Sequence, residues 1–396
     1  AVPLVVKGDR VLMGQKIAEG QAFISANIHS SVSGTVKSIE PRLTATGMKV
    51  NAIVVENDGR YESVEIEPQT KSIDELEASE IRALVKEAGV VGMGGAGFPT
   101  HVKLSPKNEG DIDTIIVNGA ECEPYLTSDY RRMLEETDKL IDGLKVVLRI
   151  FPKAKGHIAI EDNKPDAIKL LRERTRGEDR IVVDALKTKY PQGGERCLIY
   201  AVTKRKINSS MLPADAGCIV HNVDTIVSIY NAVMEKRPLT KRIVTVTGDA
   251  VKNPRNFLVY VGTPYTELVE AAGGFVSEPE KMISGGPMMG FAMYSLNVPV
   301  TKNTSSLLAF VHDTVKDKTE SPCIRCGRCG EVCPENLLPA KLSTLARRGA
   351  MDAFVAGYGM ECVECGCCSY ICPAERQLTQ SIKAMRKMVM AERRKK

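Results

Sequence analysis

The residues most able to do chemistry are cysteines. Cys323, Cys326, Cys329 and Cys333-Pro334 form one run, Cys362, Cys365, Cys368 and Cys372-Pro373 a second, and both read C-x2-C-x2-C-x3-C-P. In this spacing three thiolates of a tight loop hold three irons of one cubane, while the thiolate before the proline ligates the other cluster. Cys333 is therefore assigned to the second site and Cys372 to the first. Structural zinc would need four ligands in two C-x2-C pairs, and a disulfide framework would imply a secreted chain. The runs predict two [4Fe–4S] clusters. Cys367, beside a ligand, is read as a packed thiol or a modest tuner of its cluster.

A second stretch with chemical potential is Gly92-Met93-Gly94-Gly95-Ala96-Gly97-Phe98-Pro99-Thr100-His101-Val102-Lys103. Gly92, Gly94 and Gly97 satisfy G-x-G-x-x-G formally, but the run follows a helix, and the dinucleotide fingerprint follows a strand. By itself it is a weak phosphate loop. Glycines let a ligand approach the backbone, successive N–H groups make an anion nest, and Lys103 adds a cation.

The elements that must position these groups are readable around them. Ser72 can cap a helix over 72–89, with Ile73, Leu76, Ile81, Leu84, Val85 and Ala88 at helical spacing and Gly89 ending it. Residues 114–117, 157–160 and 180–183 read as buried strands alternating with helices at 137–149 and 165–175, a doubly wound pattern. After Pro238, strands at 242–246 and 258–261 and a helix near 266–272 suggest a small β-grasp module. Residues 307–311 are expected to be a strand returning to the N-terminal region. That region holds short apolar pieces broken at Lys7-Gly8-Asp9, Met13-Gly14-Gln15 and Ser33-Gly34-Thr35. Leu337, Leu342 and Leu345 predict helix within 334–361. His29 is expected at the surface or in a turn, and His101 and His221 as neutral packing histidines.

Composition excludes several classes. At 396 residues the chain should hold several domains. With 5% aromatics and no Trp there is no stacking platform for single-stranded nucleic acid. Residues 383–396 carry Lys383, Arg386, Lys387, Arg393, Arg394, Lys395 and Lys396 against Glu392, a local +6 that leaves −1 for the rest of a chain totalling +5. A general nucleic-acid binder is thus disfavoured, and a solvated basic tail is preferred over one docking on an acidic partner or anionic lipid. Twelve cysteines, eight in cluster spacing, place the chain in a reducing compartment. No apolar run approaches the roughly 18 residues of a membrane helix, and no signal peptide is visible. The chain opens at Ala1 without a methionine, so a preceding segment is expected.

Several of these stretches resemble known families. Gly94-Gly95-Ala96-Gly97-Phe98-Pro99-Thr100 with Lys103 looks like the flavin loop of the NADH-binding subunit of respiratory complex I. Asn118-Gly119-Ala120-Glu121-Cys122-Glu123-Pro124, Tyr190-Pro191-Gln192-Gly193-Gly194-Glu195 and His221-Asn222-Val223-Asp224-Thr225 match further pieces of it in the same order. The resemblance implies that Gly92, Gly94, Gly95, Lys103, Asn118, Glu121, Gly193, Gly194, Glu195, Asn222 and Thr225 line FMN, and that Phe98 and Glu123 meet NAD(H). Met93, Ala120 and Gly194 depart from the family pattern and bear on the nucleotide contacts. Residues 1–65 resemble a barrel-sandwich hybrid of biotinyl and lipoyl carriers, but 23–30 hold no lysine to modify, so a packing role is expected. Residues 239–300 resemble the soluble-ligand-binding β-grasp (SLBB) domain, and 313–396 an α-helical dicluster ferredoxin. With the Rossmann-like flavin domain at 72–238, the whole is an α/β multidomain chain.

This domain order resembles the RnfC family of the Rnf ion-translocating oxidoreductase complex. The resemblance implies a peripheral subunit on the cytoplasmic face of the inner membrane. It would exchange hydride between NAD(H) and FMN and pass single electrons through its two [4Fe–4S] clusters. Those electrons would go to or from the membrane subunits of the Rnf complex, its ferredoxin-like subunit and ferredoxin. Flavin–iron–sulfur cobalamin reductases of the propanediol-utilisation type share the order. An electron-relay scaffold with a decayed nucleotide site is a third reading, motivated by Met93, Ala120 and Gly194.

Overall fold

Four apolar runs pair as a parallel sheet, whose strands are buried on both faces by the crossover helices that parallel pairing requires. In the computed structural model, which describes residues 1–395, their order is Cys218–Asn222, Thr114–Gly119, Lys155–Glu161, Ile181–Leu186. All three pairings are parallel. Ile115, Ile116 and Val117 are fully buried. Thr137–Ile150 and Val223–Val233 supply Leu140, Leu144, Ile226 and Val227 to the same core. The two helices meet at Gly143, where a Cβ would overlap the Ile226 carbonyl oxygen. The helices expected at 137–149 and 165–175 are present as Thr137–Ile150 and Pro165–Arg174.

The helix expected over 72–89 divides in two. A short 3-10 turn, Ile73–Glu75, is closed by Glu75 accepting from the Ser72 N–H at 2.7 Å, and the α-helix proper is Ala78–Glu87. Leu76 between them is extended and fully buried; its side chain enters the core only by breaking the helical path. Gly89 ends the helix at φ +63°, as a left-handed terminus favours.

The chain forms two units: 1–206, 213–286 and 291–311 make the first, and 207–212, 287–290 and the residues from 312 onward the second. In the first, the N-terminal region folds as two three-stranded sheets around Val5, Val11, Ile17 and Val36. His29 lies on the strand Ile28–His29 and is half-buried, not at the surface: burial lowers its pKa to about 4, and its Nδ1 has no partner among the described residues. The β-grasp sheet is ordered Arg255–Tyr260, Lys241–Thr247, Ser306–Phe310, Lys281–Ser284, Phe291–Met293. The strand expected to return to the N-terminal barrel is thus the centre of this sheet, past the boundary expected at 300. Leu307 and Ala309 join Val244, Val246 and Tyr265 in one core, and that burial decides where the strand goes.

Lys302, just before that strand, ties the first unit together. Its Nζ donates to the carbonyls of Asn27 at 2.8 Å and Gly89 at 2.6 Å, and enclosure lowers its pKa from 10.5 to about 7. Between these values the unfolded chain holds a proton the folded chain has released, so stability should rise with pH, by up to about 1.4 kcal/mol per unit. Urea unfolding at about pH 7 and about pH 9 should show Lys302→Met gaining less from the rise than the parent. Equal gains would refute the assignment.

In the second unit, helices Pro339–Arg347, Met351–Ala356 and Leu378–Lys395 enclose Leu342, Phe354, Ile382, Met385 and Val389, which bears out the helical reading of 334–361. The basic run lies at the end of Leu378–Lys395, with Lys396 outside the described residues. Among the described residues no helix is long and apolar enough to cross a membrane.

Candidate functional site

The chain runs outward from Thr114–Gly119 to Ile181–Leu186, then returns to the opposite side of Thr114–Gly119 as Cys218–Asn222. Between the carboxyl ends of Thr114–Gly119 and Cys218–Asn222 the strand order reverses, and open α/β sheets bind ligands at such a switch point. Asn118 and Asn222 face each other in register there. Four separated stretches converge on them. A Cβ on Gly94 would stand 3.0 Å from Asn222 Nδ2. The Met93 N–H donates to Thr225 Oγ1 at 2.9 Å. Asn118 Nδ2 donates to the Gly193 carbonyl at 2.9 Å, and its Oδ1 accepts from the Ala120 N–H at 3.1 Å. Lys103 Nζ donates to the Glu195 carboxylate at 3.0 Å. Gly193 is obligatory, since a Cβ would overlap the Ala120 carbonyl oxygen.

The site has the character of a cofactor cradle. Gly94 and Gly97 are left-handed, at φ +80° and +70°, and nothing lies within 4 Å of where a Gly95 Cβ would stand, so bare backbone faces open space. The Gly92 N–H closes the turn on the Phe98 carbonyl at 2.7 Å, and the Phe98 ring is 42% exposed. Thr100 Oγ1, Gln192 Oε1 and His221 Nε2 are buried without a hydrogen-bond partner among the described residues, as a site shaped for a polar ligand would leave them. His221 is fully enclosed, and burial holds its pKa well below 6.5, in agreement with a neutral histidine. These residues fit a flat, phosphate-bearing group.

Three site residues do structural work as well. The Glu121 carboxylate accepts the N–H groups of Asp129 at 2.9 Å and Tyr130 at 3.2 Å, capping the first turn of Ser128–Glu135. Burial, then the Asp129 charge, raises its pKa. Glu123 lies against Gly286 of the β-grasp module, where a Cβ would overlap its carboxylate. Gly194 is the N-cap of Glu195–Thr203.

Behind the pocket lies a buried ion network, most of whose members sequence reasoning does not single out. Arg132 binds Asp224 at 2.7 Å, Arg242 stands 3.8 Å from the same carboxylate, and Asn222 Nδ2 donates to Asp129 at 2.6 Å. Arg242 reaches in from the β-grasp strand and donates to the Lys302 carbonyl at 2.8 Å. Burial, then Asp224, raises the Asp129 pKa, and burial lowers that of Arg242. Cys122 is a further neighbour that sequence reasoning does not single out: its Sγ accepts from the Gly193 N–H at 3.4 Å, and burial pushes its thiol up to about 11. Asp224, inside the His-Asn-Val-Asp-Thr segment, is the one available signal for the network.

In the second unit, one cavity is lined by Cys333 together with Cys362, Cys365 and Cys368, with Cys367, Leu337 and Ile382 around them. This is the mixed ligand set assigned from the spacing. Burial raises the Cys333, Cys362 and Cys368 thiols, and ionising them in place calls for a strongly cationic partner, which iron would supply. Of the other set, Cys323 and Cys326 are exposed, and Cys329 and Cys372 half-buried. Among the described residues no three Cys, His, Asp or Glu side chains converge on a single ion. A cubane, gripped by thiolates spread around a larger core, is the group the donor set fits.

Comparison with known proteins matches three regions, all ahead of the cysteine runs. Residues 1–60 match the RnfC barrel sandwich hybrid domain, 85–231 the Nuo51 FMN-binding domain, and 243–292 the SLBB domain. The chain is 46% identical to a subunit of the proton-translocating ferredoxin:NAD(+) oxidoreductase complex of Clostridium ljungdahlii, covering 87% of this chain and 76% of that protein. It is 44% identical to the corresponding subunit of the Na(+)-translocating complex of Acetobacterium woodii, covering 99% and 89%. A solved NAD+-reducing [NiFe]-hydrogenase in the H2-reduced state aligns over 81% of this chain and 62% of its own, at a TM-score of 0.53 and 15% identity, a likeness of fold alone.

Proposed function

The chain belongs to the RnfC family of ion-translocating ferredoxin:NAD(+) oxidoreductase complexes, and from that premise we propose that it is the complex's peripheral NAD(H)-handling member. It holds FMN at the switch point and two [4Fe–4S] clusters in the cysteine-rich unit, and works with membrane subunits and a ferredoxin-like subunit at the cytoplasmic face. The observation that carries this reading is the convergence of Gly94, Asn118, Gly193, Asn222 and Thr225 at the end of the parallel sheet.

When bound, FMN exchanges electron pairs with a nicotinamide and single electrons with iron–sulfur clusters, which is the conversion ferredoxin:NAD oxidoreduction requires. The chain's own residues position the partners. Bare N–H groups around Gly94–Gly97 and the Lys103 ammonium receive the phosphate; Asn118 and Asn222 fix the loops that flank the ring. The exposed Phe98 and the Glu123 carboxylate would meet the nucleotide. The cysteines of 323–372 hold the clusters, and no side-chain nucleophile is needed.

The test is cofactor analysis of anaerobically purified chain: about eight irons, with FMN released intact on denaturation and reduced by NADH in the native chain. Zinc, FAD or covalent flavin would overturn the reading. Flavin that NADH leaves oxidised would favour the relay scaffold instead, and cobalamin reduction without membrane subunits the cobalamin reductase. Lys103→Ala removes a charged contact worth about 1.5–3 kcal/mol. FMN affinity measured by fluorescence quenching should therefore fall by about tenfold to a hundredfold. Unchanged affinity would remove Lys103 from the phosphate site.

A further inference from the structure

The two cysteine runs are repeats of one backbone. Arg325 and Glu364 occupy the same position and are left-handed at φ +58° and +59°; Gly327 and Gly366 follow at +82° and +85°, and Asn336 and Glu375 at +52° and +51°. The helices Pro339–Arg347 and Leu378–Lys395 each begin six residues after the fourth cysteine of their run. In this register Gly330 and Ala340 of the first repeat stand where the second has Ser369 and Thr379. Those two hydroxyls form a directed chain. Thr379 lines the cavity of Cys333, Cys362, Cys365 and Cys368, and its Oγ1 stands 3.3 Å from Cys368 Sγ. Ser369 Oγ accepts the Thr379 N–H at 2.9 Å and donates to Thr379 Oγ1 at 3.0 Å; its contact with Gln380 Oε1 is longer, at 3.3 Å. The Thr379 proton is thereby left to point at the sulfur. The N–H groups of Leu337 and Glu364 donate to Cys333 and Cys362, each at 3.4 Å. Among the described residues no hydrogen bond reaches the sulfur of Cys323, Cys326, Cys329 or Cys372.

A ligand thiolate carries no proton, so once Cys368 is ionised it can only accept. Resting on the cluster reading above, we propose that Thr379, aimed by Ser369, donates a hydrogen bond to the Cys368 thiolate and so raises the reduction potential of one cluster. A reduced cluster holds one more electron, and with it more negative charge on its sulfurs. A fixed donor therefore stabilises the reduced form more than the oxidised one, since hydrogen bonds to charged acceptors are the stronger ones. No proton moves, because the hydroxyl keeps its hydrogen in both states. Gly330 and Ala340 offer the first repeat no such donor. One ligand spacing thus serves two unequal carriers, and Thr379 is a positioning residue that acts through Cys368.

The test uses the full chain carrying iron and FMN. It is reduced anaerobically with dithionite through mediator dyes, each cluster taking up one electron, and followed by electron paramagnetic resonance. Thr379→Val keeps the shape of the side chain and deletes its hydroxyl. One cluster should then become harder to reduce, on the order of tenfold in its reduced-to-oxidised ratio at a given potential, or about 59 mV. The other cluster should titrate as in the parent, and the signal that moves should be the one Cys333→Ser removes. Thr379→Ser should keep the parental potential, and Ser369→Ala should shift it part of the way. Parental potentials in iron-loaded Thr379→Val overturn the proposal, as does an equal shift in Thr379→Ser or in both clusters. If Thr379→Val sheds iron, Ser369→Ala decides, and parental potentials in it overturn the proposal. A parent chain that takes up no iron would sink the cluster reading itself, whereas unshifted potentials in an iron-loaded variant sink only the role of Thr379.

Discussion

Replacing Cys333 with serine should leave about four of about eight irons per chain, and the loss should fall on the cluster of Cys362, Cys365 and Cys368. Cys333 lies outside that run in sequence but lines the same cavity as its three cysteines. Double replacements assign the site without spectroscopy. Cys333→Ser/Cys365→Ser should lose no more iron than either single change, because both remove ligands of one cluster. Cys333→Ser/Cys326→Ser should lose nearly all, because each removes a different one. Iron per chain by colorimetric assay is the measurement. Half the iron surviving in the second pair would place Cys333 with its own run and break the exchange between them.

Asp224→Ala should destabilise the chain by about 3–5 kcal/mol, the range for stranding a buried charge. Arg132 and Arg242 both converge on this carboxylate, and both are buried, as is Asp224. Removing it leaves the buried Arg242 facing Arg132, whose remaining ion pair is with Glu136. The expected readout is a lower urea midpoint, with FMN affinity falling as well, since Asp224 sits in the first turn of the helix that Asn222 caps. An unfolding free energy within about 0.5 kcal/mol of the parent, as for an ordinary surface change, would show that the arginines find other partners.

Much of this is legible in the sequence because the signals are local. A cysteine spacing is a ligand set on its face, and a short apolar run such as Ile115-Ile116-Val117 is consistent with a strand covered on both sides. What stays hidden depends on chain topology. Leu307-Leu308-Ala309 reads as a strand but carries no address, and only the shared core with Val244 and Tyr265 puts it in the middle of the β-grasp sheet. Arg242 looks like an ordinary polar residue on a strand. Its burial 3.8 Å from Asp224, a residue of a separate helix, is set by packing between elements that no local pattern links. His29 lies in a short turn-rich stretch and so reads as a surface residue, yet it is half-buried, and the charges of Lys302 and Glu87, both distant in sequence, act on it.

The position of Ser306–Phe310 has a consequence during synthesis. Lys241–Thr247 and Lys281–Ser284 do not bond to each other; each bonds to Ser306–Phe310, which leaves the ribosome last. At about 5–20 residues per second, the hairpin of Lys241–Thr247 and Arg255–Tyr260 waits for seconds with one edge unpaired. An open edge is a template for any passing strand, and nascent chains on a crowded polysome offer many. Slowing translation across 261–310 lengthens the interval in which neighbouring nascent chains can exchange strands, and a lower folded yield is the expected outcome.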